Sequence, residues 1–124
     1  MQQAIIRTLA AALLLGAGAS ASAQQGQRIL GYYEEDEYWY PGTIATIRGN
    51  HIQMRFDSGE AGNLPAHFVK SFDWRPGTPV ECNYQGAGEW YAAELVQLRG
   101  QNLQVVYDED GEYEWTTTAR CRSE

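Results

Sequence analysis

The sequence is short of the residues that carry most side-chain chemistry. Of its 124 residues only two are cysteine and two histidine. His51 and His67 stand apart from any nucleophile motif, and no Ser or Cys has a base-bearing neighbour pattern, so acyl-transfer chemistry has no foothold. Carboxylates are plentiful, but a run of acids is usually a solvated face, and none sits where burial would make it a general acid. Positive charge is scarce: nine Lys and Arg against sixteen Asp and Glu give a formal net charge of −7. That sign repels nucleic-acid phosphates and anionic lipid headgroups and attracts cationic peptides or amines. The segment Asp108-Glu109-Asp110-Gly111-Glu112 is acidic enough to suggest a calcium loop, yet its Gly comes at the fourth position where a helix-loop-helix calcium hand needs it at the sixth. Neither metal nor cofactor is expected.

A long apolar run is also missing. Leu9 to Ala17 is apolar but falls short of the ~18 to 20 residues that a membrane span needs, and no later stretch approaches that length. With Arg7 as its only charge and Ala21-Ser22-Ala23 as a small-residue cleavage signature, the segment of residues 1–23 reads as a bacterial-type secretory signal peptide. No Cys follows it to accept a lipid. The remaining 101 residues keep every acid and lose one Arg, so their formal charge is −8. They are expected in the periplasm or outside the cell, with no insertion into the membrane. Both cysteines lie in that part, where an oxidising compartment favours a Cys82–Cys121 disulfide over two free thiols.

What the chain does contain is a repeat. At an offset of 51 residues, Ile29 to Asp57 matches Val80 to Asp108 without a gap. Tyr33 falls on Tyr84, Trp39-Tyr40 on Trp90-Tyr91, Arg48-Gly49 on Arg99-Gly100, Gln53 on Gln104 and Asp57 on Asp108. One inserted residue then places Gly59-Glu60 on Gly111-Glu112. Residues 24–73 and 80–124 are therefore read as two copies of one small domain, with the Pro-Gly segment 74–79 as linker.

Within each copy apolar residues alternate over short runs punctuated by Gly and Asn, which argues for strands. The expected strands are 28–33, 39–47, 51–56, 61–64 and 69–72 in the first copy, and 80–84, 90–98, 102–107, 112–115 and 119–122 in the second. Gly49 and Gly100 mark tight hairpins. Ile52, Met54 and Phe56 share one face opposite Gln53 and Arg55, as Leu103, Val105 and Tyr107 do opposite Gln104. Five short strands are too few for a sandwich and enough for a bent barrel, so the fold class is all-β: two small five-stranded antiparallel barrels in tandem. Cys82 and Cys121 then fall in the first and last strands of the second barrel, which are neighbours in a closed barrel. That bond would contribute about 3 to 4 kcal/mol in the chain-entropy model. The first copy has no such bond and should be the less stable half unless it packs on the second.

Each copy runs from an apolar strand ending in Tyr33 or Tyr84, through a loop, to Trp-Tyr-Pro-Gly or Trp-Tyr-Ala-Ala. It then passes a Gly turn and an apolar strand to Phe56-Asp57-Ser58-Gly59-Glu60 or Tyr107-Asp108-Glu109-Asp110-Gly111-Glu112. This ordered set resembles the Tudor and Agenet group of the Tudor-like royal superfamily, seen twice. The resemblance implies bent barrels of the Src-homology-3-like shape, no catalysis, and an aromatic cage for methylated Lys or Arg. The cage positions fall on Tyr33, Tyr40 and Phe56 in the first copy and on Tyr84, Tyr91 and Tyr107 in the second. Glu34, Glu35, Asp36 and Glu37 would rim the first cage; Asp108, Glu109, Asp110 and Glu112 the second. The pattern departs from the family at the fourth wall, where Gly59 and Asp110 stand. The nearest later aromatics there are Tyr113 and Trp115, and Asn63 lies near the first cage. Trp39 and Trp90 are read as packing residues.

The functional expectation is an exported, non-enzymatic binding module whose partner is a protein or peptide, cationic in character. Histone ligands of nuclear relatives do not carry over to an exported chain. The contrasting expectation is a structural or interaction protein of the cell envelope that docks a partner through sheet edges, with no small-ligand pocket.

Overall fold

The computed structural model describes residues 23–124. The expected leader, apart from Ala23, lies outside the described residues. Two five-stranded antiparallel sheets follow one another along the chain. The first contains β1 (Arg28–Tyr33), β2 (Tyr38–Arg48), β3 (His51–Phe56), β4 (Ala61–Pro65) and β5 (Val69–Ser71), in the order β4-β3-β2-β1-β5. The second contains β6 (Pro79–Asn83), β7 (Trp90–Arg99), β8 (Asn102–Tyr107), β9 (Tyr113–Thr117) and β10 (Cys121–Arg122), in the order β10-β6-β7-β8-β9.

The expected alternation sets the cores. Ile52 and Met54 are buried while His51 and Arg55 are exposed; Leu103, Val105 and Tyr107 are buried in the second copy. Gly49 and Gly100 take the positive φ of 61° and 62° that lets two-residue turns join long strands. The last strand of the second barrel is shorter than expected, because Thr118–Arg120 forms a 3-10 turn and only Cys121–Arg122 pairs. Tyr84 likewise leaves the strand and opens a second 3-10 turn.

The duplication extends to single hydrogen bonds. The register of β2 on β3 slips between Ile44 and Thr46, and that of β7 on β8 between Leu95 and Gln97. A bulge at the same place in each copy sharpens the strand twist and curls the sheet towards closure. Asp57 N–H donates to Pro41 O as Asp108 N–H does to Ala92 O, and Ala66 N–H to Asn50 O as Thr118 N–H does to Gln101 O. Closure leaves no room at Gly42, where an added Cβ would lie 2.5 Å from Arg55 O.

Cys82 and Cys121 are directly opposed in the β6–β10 pair and form the expected disulfide. The first barrel has no such bond but packs on the second. Leu30 of β1 and Trp74 are fully enclosed in the cluster that holds Val80, Leu95 and Cys121, with Trp39 and Phe72 against it. Each such side chain contributes on the order of 1.5 to 3 kcal/mol by leaving water. Trp39 and Ser123 exchange backbone hydrogen bonds of 2.7 and 3.0 Å, and Trp74 Nε1 donates to Ser123 Oγ at 3.0 Å. Arg28 makes a two-pronged ion pair with the enclosed Asp57 carboxylate, to which Thr118 of the other barrel also donates. A backbone bridge, a shared apolar cluster and a shared carboxylate hold the barrels as one unit.

Candidate functional site

In the second barrel Tyr107 ends β8, Tyr91 stands near the start of β7, and Tyr84 opens the 3-10 turn after β6. Their neighbouring strand ends bring them together. Tyr107 meets Tyr84 with ring centroids 5.5 Å apart at 80°, and Tyr91 at 6.4 Å and 88°. These edge-to-face rings form part of the wall of a cavity of about 470 Å³ completed by Asp108, Glu109, Asp110 and Glu112. The turn that carries the acids is held by Glu112 N–H donating to Asp110 Oδ1 at 2.9 Å. Among the described residues no cationic side chain lines this cavity.

Every hydroxyl of the three tyrosines donates to a carboxylate: Tyr84 to Glu112 at 2.8 Å, Tyr91 to Glu89 at 2.6 Å and Tyr107 to Glu114 at 2.6 Å. The phenols are thereby spent as donors and fixed in orientation. Burial, then the bond to Glu114, pushes the Tyr107 phenol well above its ordinary range; the bonds to Glu112 and Glu89 push Tyr84 and Tyr91 up. All three rings stay neutral at physiological pH and offer their faces beside four anionic groups.

In the first barrel Tyr33, Tyr40 and Phe56 line a cavity of about 460 Å³ together with Asp36 and Glu60. Glu35, expected on this rim, does not line the cavity; it turns aside to accept the Tyr33 hydroxyl at 2.8 Å. Asn63 is exposed and paired with Gln53 along β3–β4, whereas its strand neighbours Gly62 and Leu64 line the cavity. Strand alternation puts Asn63 on the opposite face. Asp36 accepts the Tyr40 hydroxyl, and burial followed by that bond raises the Tyr40 phenol to about 12 against the lowering influence of Arg122.

One lining residue departs from what the sequence implies. Trp90, expected only to pack, reaches this first-barrel cavity from the start of β7, as does Ala119 of the second barrel. It meets Tyr40 edge-on at 6.3 Å and 85°, and Tyr40 meets Tyr33 at 6.2 Å and 86°. Tyr113 and Trp115, considered for the fourth walls, line neither cavity; both stand exposed along β9. His51 is exposed in β3, and His67 lies in the 3-10 turn after Pro65. Among the described residues no cluster of three or more His, Cys, Asp or Glu could hold a metal ion, and no helix is long and apolar enough to cross a membrane.

The fold is that of a tandem Tudor-like double barrel. Among solved structures the chain is similar to the Crb2 tandem tudor domains, with a TM-score of 0.55 at 13% identity over 84% of this chain and 82% of that one. It is also similar to the ADCP1 tandem Agenet domain 3-4 (TM-score 0.38, 7% identity, 82% and 79% covered). A third is the AGDP1 AGD34 structure of Arabidopsis thaliana (TM-score 0.43, 7% identity, 82% of each chain). No protein-family model matches the sequence, and no curated protein does.

Proposed function

We propose that the chain is an exported, non-enzymatic binding module that takes a cationic Lys or Arg side chain, free or methylated, into the cavity of Tyr84, Tyr91 and Tyr107. The observation that carries this reading is the pairing of three neutral tyrosine rings, Tyr84 and Tyr91 each edge-to-face with Tyr107, with Asp108, Glu109, Asp110 and Glu112 around one opening. An ammonium over such rings gains about 0.5 to 2 kcal/mol per good face, and carboxylates add attraction that water screens only in part. A packing role accounts for Tyr107, which is buried, but not for Tyr91, which is 40% exposed. The disulfide supports export, since such bonds persist in oxidising compartments.

The second reading, docking of a partner chain through a sheet edge, draws on β9. That strand ends its sheet and carries the exposed Tyr113 and Trp115. The two readings part at Tyr91→Ala. For a ligand cavity, the substitution weakens binding of trimethyl-lysine about tenfold while the melting temperature holds. Unchanged binding, or loss of the fold alone, would favour the edge.

A further inference from the structure

We infer that Trp90 of the second repeat supplies the missing wall of the first repeat's cavity, making it a composite site for quaternary ammonium groups that exists only while the two barrels are docked. The inference rests on the cation-binding reading above but concerns the other cavity and a residue outside the repeat's own cage positions. Tyr33, Tyr40 and Trp90 form a chain of perpendicular rings, the last crossing from one barrel to the other, with Phe56 also on the wall.

The indole is held in place from the second barrel's side. Arg122 lies over the Trp90 ring at 4.1 Å and over the Tyr38 ring of β2 at 3.8 Å, so that one guanidinium joins aromatic groups of both barrels. It also donates to Glu81 at 2.9 Å and to the Tyr40 hydroxyl at 3.1 Å, while Tyr38 donates to the same Glu81 at 2.9 Å. Arg122 is thus a positioning residue: it fixes Trp90 and Tyr40 relative to each other. Its neighbour Cys121 is tied to β6 by the disulfide, which anchors the whole arrangement.

The chemistry of the walls selects the ligand. A primary ammonium entering a cavity must replace its hydrogen bonds to water with acceptors. Here Asp36 already accepts from Tyr40 and lies 3.5 Å from Arg122, which leaves Glu60 as the free carboxylate, and Leu64 and Ala119 add apolar wall. A quaternary ammonium donates no hydrogen bond and is recognised by ring faces. The cavity of about 460 Å³ has room for such a headgroup. The Tyr84 cavity, with four acids and, among the described residues, no cation on its lining, offers acceptors to hydrogen-bonding ammonium groups as well as ring faces to methylated ones.

The test uses the intact, disulfide-bonded protein and choline as probe, followed by aromatic and indole NMR signals. Lysine and the uncharged choline isostere 3,3-dimethylbutanol serve as comparisons. The expected result is that Trp90, Tyr33, Tyr40 and Phe56 shift together with one dissociation constant, and that the isostere and lysine bind this cavity about tenfold more weakly or worse. Trp90→Ala should weaken choline by a similar factor, with Trp90→Phe recovering part of it. Ala119→Lys leaves every ring in place and should block the site, so it decides the matter if Trp90→Ala does not fold. Choline binding that survives both substitutions, or first-barrel shifts without Trp90, would overturn the composite site. Shifts confined to Tyr84, Tyr91 and Tyr107 would overturn it while leaving the binding-module reading intact; no shifts at either cavity would overturn both.

Discussion

Asp57 and Asp108 hold the same position in the two repeats, each giving its N–H to the opposite strand, yet their carboxylates have parted ways. The Asp57 side chain is 3% exposed and receives two bonds from Arg28 and one from Thr118, whereas Asp108 is exposed on the rim of the tyrosine cavity. Asp57→Asn should therefore cost about 2 to 3 kcal/mol, because it removes the charge that Arg28 faces and weakens the junction between the barrels. Asp108→Asn should leave stability within about 0.5 kcal/mol and weaken cation binding instead. Urea unfolding of both variants, beside a binding titration, checks the division.

The acid limb of stability should follow Asp57. Burial pulls its carboxyl upward, but bonds from Arg28 and Thr118 and the Arg28 charge outweigh burial and hold it below its ordinary value. A folded-state value below the unfolded one of about 3.9 means that the stabilisation is full above that pH and is lost as pH falls through the lower folded value. Urea midpoints measured through the acid range should drop more steeply for the native protein than for Asp57→Asn. Equal slopes would show that other carboxylates carry the acid limb.

Reducing the disulfide should loosen the second barrel first. The loop it closes spans 39 residues, worth about 3 to 4 kcal/mol in the chain-entropy model. Because β10 has only two residues and one strand partner, its amides should lose hydrogen-exchange protection on reduction, along with the Trp39–Ser123 bridge. Amides of the β3–β4 pair should change least.

Gly42 and Gly49 should respond differently to alanine. At Gly42 the new Cβ would meet the backbone carbonyl of Arg55 at 2.5 Å, which cannot move without breaking the β2–β3 pairing. Gly42→Ala is expected to cost about 2 to 3 kcal/mol. At Gly49 the space is open and only the φ of 61° resists, so Gly49→Ala should cost about 1 kcal/mol. Chemical denaturation of the two variants measures the difference.

The strands and their pairing were legible because each copy carries its own alternation and its own Gly turns, and because reading one copy against the other doubles every weak signal. Ile52 and Met54 could be placed inside from that pattern, and the Cys82–Cys121 bond from an oxidising compartment and from the adjacency of first and last strands in a closed barrel. The three tyrosines of the second cavity came from the family resemblance rather than from the alternation, and neighbouring strand ends bring them to one cavity. The junction was not legible. Trp90, Arg122, Thr118 and Ala119 act on the other barrel, and a repeat compared with itself carries no information about contacts between copies. Trp90 aligned with Trp39 and was read as its equivalent; Trp39 does pack at the junction, but Trp90 lines a cavity. Arg122, beyond the matched segment, had no counterpart to draw attention to it.

The proposed function stands or falls on the binding of organic cations in the Tyr84, Tyr91 and Tyr107 cavity. The most direct measurement is an NMR titration of isotope-labelled residues 24–124 with trimethyl-lysine, dimethyl-arginine and lysine, observing amide and aromatic shifts. Saturable shifts are expected at these three tyrosines and at Asp108 to Glu112. Spectra of those residues that stay unchanged at millimolar concentrations of all three ligands would contradict it.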